Sequence, residues 1–179
     1  MPTLVTERLH LRDFAETDWD QLNALVTDPS VTRYMHFATW DERKRRAWFA
    51  VLVHDASTPR REACNWAITL RSDGLLIGWL FIGGSLPAEG SRGCGYALSP
   101  RFWGQGYMPE ALRAAIDYEF TVLGTQRISA ECETENVASA RVMQKSGMEY
   151  EGTFYEPDFE GDWADRHRYQ VTAQPGETR

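Results

Sequence analysis

The stretch "SPRFWGQGYMPEALRAAIDY", residues 99–118, begins as a loop and ends as a helix. Gly104 and Gly106 bracket Gln105, and Pro109 and Glu110 open a run with helical apolar spacing. Glycine adopts positive φ and lets backbone approach a ligand closely. A strand that feeds such a turn and then a helix start presents backbone N–H groups to an anion such as a pyrophosphate, and the helix dipole adds to the attraction. Pro109 lacks an N–H, but in the first turn no intrahelical bond is lost. On its own, Gly-x-Gly before a helix is a weak signal, because many such turns are caps with no ligand.

Around this stretch the sequence alternates between strand and helix patterns. "RLHLRDF" (8–14) has the apolar–polar alternation of a half-buried strand, and 16–26 and 41–54 are predicted helices. In the second helix Trp48, Val51 and Leu52 are expected to share the buried face, with "ERKRR" on the solvated start. "CNWAITL" (64–70) and "LLIGWLFIGG" (75–84) flank "RSDG", which predicts a β-hairpin. "GCGYALS" (93–99) is a further strand leading into the opening motif. A helix over 108–123, an alternating strand "RISAECE" (127–133) and a helix in "NVASARVMQKSGM" follow, the last capped by Asn136 and ended by Gly147. The tail reads as two strands joined through 160–162, with residues 173–179 frayed. The order implies one α/β domain over residues 1–179, built on a mixed sheet flanked by helices.

With 179 residues, 42% hydrophobic and 12% aromatic, the chain can bury a real core. The net charge of −7 disfavours nucleic-acid binding, which needs a basic footprint, and leaves a cationic acceptor open. No apolar run is long enough to span a bilayer, and the charged N-terminus is unlike a signal peptide, so a cytoplasmic protein is expected. Cys64, Cys94 and Cys132 lack metal-site spacing and are expected to be reduced, buried thiols, with no metal bound. A dinucleotide site fits poorly because the third glycine and the acidic ribose ligand are missing. A P-loop is excluded by the lack of Gly-Lys-Ser/Thr.

Arg101-x-x-Gly104-x-Gly106 after a strand resembles the acyl-CoA signature of the GNAT N-acetyltransferases, Gln/Arg-x-x-Gly-x-Gly/Ala. "NVASARVMQKSGM" resembles their downstream Asn-x-x-Ser…Lys-x-Gly-Phe/Met block. "LVTERLHLRDF" and "GDWADRHRY" resemble the two ends of the branch that acetylates ribosomal-protein N-termini. The resemblance spans about residues 3–172. It implies a mostly antiparallel sheet splayed between its fourth and fifth strands, here 93–99 and 127–133, with acetyl-CoA as cosubstrate in the gap. Tyr96, Ala97 and Leu98 would line the pantetheine. Phe102, Trp103, Gly104, Gln105, Gly106 and Tyr107 would wrap the pyrophosphate, and Asn136 would bond the pantetheine arm.

The same resemblance bears on catalysis. Many relatives carry a tyrosine acid seven residues after the motif asparagine, where this chain has Met143; Ser139 matches the serine used by the ribosomal-protein branch. A hydroxyl there suits hydrogen-bond stabilisation of a thiolate better than proton donation. Glu131, five residues before Asn136, is the candidate general base. Alternation sets it on one strand face with Ser129 and Glu133, a pattern that a solvent-facing strand also produces. Glu133, Glu156, Asp158 and Glu160 are rival carboxylates, His36 falls on the expected acceptor side, and Trp40, Trp66 and Trp103 are core or wall residues. The expected activity is acetyl transfer from acetyl-CoA to a primary amine, either a protein N-terminus or a small amine such as a polyamine, amino acid or aminoglycoside. A CoA-binding module without turnover stays open, and the sequence neither excludes nor demands a homodimer.

Overall fold

The computed structural model describes residues 2–35, 39–55, 63–84, 90–157, 161 and 163–174. Its strands follow the order β1-β2-β3-β4-β5-β6-β8-β7 in a mostly antiparallel sheet. By contacts the chain divides into two compact units, Met1–Phe81 with Tyr96–Tyr107, and Ile82–Gly95 with Met108–Arg179.

The first unit carries β1 (Leu4–Val5), β2 (Leu9–Arg12), α1 (Trp19–Thr27), α2 (Pro29–Thr32), α3 (Glu42–Asp55), β3 (Ala63–Leu70) and most of β4 (Leu76–Gly83). In β2 Leu9 and Leu11 are buried while His10 and Arg12 are half-exposed, as the alternation requires. They pair antiparallel with Leu70 and Ile68 of β3. Arg12 then makes a two-pronged bond to the buried Asp18, at 2.6 and 2.7 Å, and the Ala15 N–H donates to the same carboxylate at 2.8 Å. That pairing raises the Arg12 guanidinium above its ordinary value against the opposing effect of burial.

Leu22, Leu25 and Val26 of α1 pack with Phe49 and Leu52 of α3, Ala67, Leu76, Trp79 and Ala97. Val51 departs from expectation, being 54% exposed, and Phe49 takes its place. The apolar stripe is centred on Phe49 and Leu52, flanked by Trp48 and Val53, and at about 100° per residue Val51 falls well outside it. The basic run at the start of α3 is tied into the fold. Arg45 bonds Asn23 and the Trp40 carbonyl, Arg46 bonds Glu42 and covers Trp19, and Lys44 covers Trp40.

The second unit holds most of β5 (Ser91–Leu98) and of α4 (Tyr107–Thr121), then β6 (Arg127–Glu133), α5 (Val137–Lys145), β7 (Glu149–Pro157) and β8 (Trp163–Thr172). β5 and β6 pair in parallel through Ser91, Arg92 and Gly93 against Arg127, Ile128 and Ser129, three residues of an eight-residue strand. Counted from β2 these are the fourth and fifth strands, because the two-residue β1 precedes them. β6 continues antiparallel with β8 along its whole length. α4 buries Met108, Ala111, Leu112, Ala115, Ile116 and Phe120, the spacing of one helical face.

Glu119 lies on that buried face, fully excluded from water. Thr125 Oγ1 donates to it at 2.5 Å and Arg92 approaches at 3.4 Å, so the charge is paired. Beside it, burial above all raises the Cys94 thiol, with the Glu119 charge adding to the rise. Glu119→Ala leaves Arg92 without its counter-charge and should cost about 3 kcal/mol or more in urea denaturation. Gly78→Ala tests β4, since a Cβ there would lie 2.6 Å from the Ala97 carbonyl oxygen. It should lower stability by about 1–3 kcal/mol through displacement of β5.

Candidate functional site

The loop after β5 follows from its own residues. Ser99 N–H donates to the Ile77 carbonyl at 2.8 Å, which closes the pairing of β5 with β4. Pro100–Phe102 forms one 3₁₀ turn, with Phe102 N–H bonded to Ser99 O and Trp103 N–H to Pro100 O. The Trp103 indole, 46% exposed, folds back so that its N–H donates to the Leu98 carbonyl at 2.7 Å. Gln105 Nε2 donates to the Arg101 carbonyl at 2.9 Å. Gly104 and Gly106 have φ of 74° and 81°, the left-handed region that side chains rarely enter.

α4 then starts at Tyr107. The N–H groups of Gly106, Tyr107 and Met108 stand where a helix start has no intrahelical acceptor, and Pro109 carries none. Phe102 and Tyr107 meet edge-on at 5.9 Å. Arg8, 97 residues earlier than Gln105, donates through Nη1 to the Gln105 carbonyl at 2.9 Å. Its guanidinium carbon lies 4.3 Å from the centre of the Tyr107 ring. Nothing lies within 4 Å of a Cβ built on Gly104. Open space above Gly104, left-handed glycines and a helix start together suit the phosphates of a coenzyme such as acetyl-CoA. Tyr96, Ala97 and Leu98 form the end of β5 just before, with Ala97 buried.

The other candidates belong to the second unit. Asn136 is the N-cap of α5, its Oδ1 accepting from Ser139 N–H at 3.1 Å. Its side-chain amide keeps N–H donors of its own. Ser139 is half-buried, and its hydroxyl is hydrogen-bonded with the Cys132 thiol. Burial pushes that thiol up to about 11, the Ser139 bond opposing the rise. Met143 is fully buried, one helical turn past Ser139, so the residue at the tyrosine position is part of the core.

Glu131 is exposed and accepts from Arg168 Nε at 2.7 Å; Arg168 Nη2 bonds Glu156 at 2.5 Å. Burial would lower the Arg168 guanidinium, but the two carboxylates outweigh it and raise it. The candidate base and one of its rivals therefore share one arginine, a pairing across β6, β8 and β7 that strand alternation could not reveal. Glu133 is half-buried at the end of β6, opposite Arg166 in register. Trp66 is fully buried, and Trp40, partly buried, packs against the cluster that contains Phe49, Leu52 and Trp79. His36, Asp158 and Glu160 lie outside the described residues. Sequence reasoning missed Arg8, whose only local signal was a place beside a short strand.

Known proteins resemble the chain in sequence and in fold. The chain is 32% identical over 152 residues to the uncharacterized N-acetyltransferase p20 of Bacillus licheniformis, covering 85% of each, and 29% identical over 169 residues to the uncharacterized N-acetyltransferase YnaD of Bacillus subtilis, covering 94% of this chain and 95% of that one. Its fold matches a GNAT-family acetyltransferase of Bacillus anthracis with a TM-score of 0.83 at 27% identity, over 96% of this chain and 98% of that one. It also matches the ribosomal L7/L12 α-N-protein acetyltransferase RimL in complex with coenzyme A (TM-score 0.78, 21% identity, 96% and 98% covered) and the spermidine N-acetyltransferase of Vibrio cholerae with CoA and spermine (0.77, 19%, 93% and 96%). Residues 8–149 match the acetyltransferase (GNAT) domain, and the chain belongs to that family of acetyl-CoA-dependent N-acetyltransferases.

Proposed function

We propose that residues 102–107 hold the pyrophosphate of acetyl-CoA and that the acceptor is the N-terminal amine of a protein. The observation that carries the first part is the pair of left-handed glycines running into the start of α4. The second part rests on the likeness to the ribosomal-protein branch at both ends of the chain and on the fold shared with RimL. The fold shared with the spermidine enzyme favours a small polyamine as the second reading, which the net charge of −7 also suits.

Bound acetyl-CoA supplies an already activated thioester. The protein's task is placement and charge stabilisation. Gly106, Tyr107 and Met108 would offer N–H groups to the phosphates, the Asn136 side-chain amide would bond the pantetheine arm, and Tyr96, Ala97 and Leu98 would line it. Ser139 would donate its hydroxyl proton as a hydrogen bond to the sulfur as negative charge develops there. Glu131, oriented by Arg168, would take a proton from the acceptor amine, directly or through water.

Four substitutions test these roles. Gly104→Val and Gly106→Val force a side chain into left-handed backbone and should weaken CoA binding about tenfold or more by calorimetry, with far-UV circular dichroism unchanged. Folded variants that bind like the parent would remove the loop from the site. Ser139→Ala should lower kcat about tenfold or more with a smaller rise in the KM for acetyl-CoA; an unchanged kcat would return Ser139 to first-turn helix duty. Glu131→Gln should slow the reaction most below the pKa of the acceptor amine, where deprotonation is needed, and least above it. A loss uniform in pH would assign Glu131 to binding or positioning, and no loss would pass the role to Glu133, to the tail carboxylates such as Glu156, or to bulk water. A panel of peptide N-termini and polyamines, scored by thiol release, separates the two acceptor readings.

A further inference from the structure

We infer that Arg8 is a positioning residue for the coenzyme loop: by holding the Gln105 carbonyl it fixes the Gln105–Gly106 peptide plane and aims the Gly106 N–H at the pyrophosphate. This rests on residues 102–107 being the acyl-CoA loop. A trans peptide carries its C=O and the following N–H on opposite sides, so a donor that pins one also points the other. Arg8 Nη1 supplies that donor at 2.9 Å. The guanidinium also lies over the Tyr107 ring at 4.3 Å, and Nη2 is 3.5 Å from where a Cβ on Gly106 would be. One planar group therefore bonds Gln105, covers Tyr107 and passes beside Gly106 between them.

The loop needs such a hold. Glycines at 104 and 106 give it the left-handed turns it uses, and the same freedom lets the peptide between them rotate. An unfixed loop would have to be ordered by the ligand, at the expense of affinity. Arg8 is itself held rigidly. The Thr6 hydroxyl accepts from Leu9 N–H at 3.0 Å, and Thr6 N–H bonds the Leu9 carbonyl at 3.0 Å. Arg71 Nη1 donates to the carbonyls of Thr6 and Glu7 at 2.8 and 3.0 Å, while Arg71 N–H takes the Arg8 carbonyl at 3.0 Å. The turn before β2 is thus fastened to the end of β3, and Arg8 projects from a fixed base. Its positive charge adds attraction for the anion, but a lysine would keep the charge without the planar fork that spans carbonyl and ring.

The test uses the full chain and three probes: CoA, dephospho-CoA, which keeps the pyrophosphate, and pantetheine, which carries no phosphate. Dissociation constants are measured by calorimetry, with competition for the weak ligand, in the parent, Arg8→Met and Arg8→Lys. Arg8→Met should weaken CoA and dephospho-CoA alike by about tenfold or more and leave pantetheine within about twofold. Arg8→Lys should recover part of that loss. Where Arg8→Met fails to fold, Arg8→Lys decides, by a loss of phosphate-bearing ligands that spares pantetheine. Parent-like CoA affinity in the variants, equal weakening of pantetheine, a loss confined to the 3′-phosphate ligand, or full recovery by lysine would each overturn the inference. Gly106→Val separates the two levels. If it abolishes CoA binding while Arg8→Met does not, the loop reading stands and Arg8 is released; if the parent or Gly106→Val shows the loop is not the site, both fall together.

Discussion

Between Leu98, the last residue of β5, and Tyr107, the first of α4, the chain must close a strand, reverse and open a helix whose first N–H groups have no intrahelical acceptor. Side chains with a Cβ resist the φ values this requires, and the two positions that need them are glycines. An anion held this way is bound by dipoles fixed before it arrives, so little reorganisation accompanies binding. The arrangement works only while the loop is kept in that conformation. The Trp103 indole bonded to Leu98, the Gln105 amide bonded to Arg101, and Arg8 bonded to Gln105 all tie the loop in that conformation.

From Met108 onward α4 belongs to the second unit and is anchored there. Its apolar stripe is buried, and near its other end Glu119 is paired with Arg92 and Thr125. A charge without access to water is tolerated only with partners, so this cluster ties the end of α4 to β5 and to the turn before β6. In the same unit Asn136 caps α5 and sets the orientation of its first turn, where Ser139 lies.

Acyl transfer from a thioester needs no metal chemistry and no covalent intermediate on the protein; positioning the amine and stabilising a departing thiolate are sufficient. The candidate residues fit that modest demand. Met143 in the core rules out an acid at the usual tyrosine position, which puts weight on the Ser139 hydroxyl. Glu131, the candidate base, is one arm of a Glu131–Arg168–Glu156 network, so its substitution also alters what Arg168 holds.

Features that depend on a few neighbouring residues were legible in the sequence: the glycine turn before α4, the Asn136 cap, the alternation along β6, and the succession of strands and helices along the chain. Local backbone preference and side-chain periodicity produce them, and both act over less than a dozen residues. Only the tertiary structure decided the pairings between distant segments. Arg8 on the loop after β5, Arg168 between two glutamates, and Arg92 beside buried Glu119 each join residues far apart in the chain, and no local pattern marks which arginine meets which partner. The face of α3 was misjudged at Val51 for a related reason: with Trp48, Phe49, Val51, Leu52 and Val53 all apolar, the stripe that buries is chosen by the strands and helices it meets.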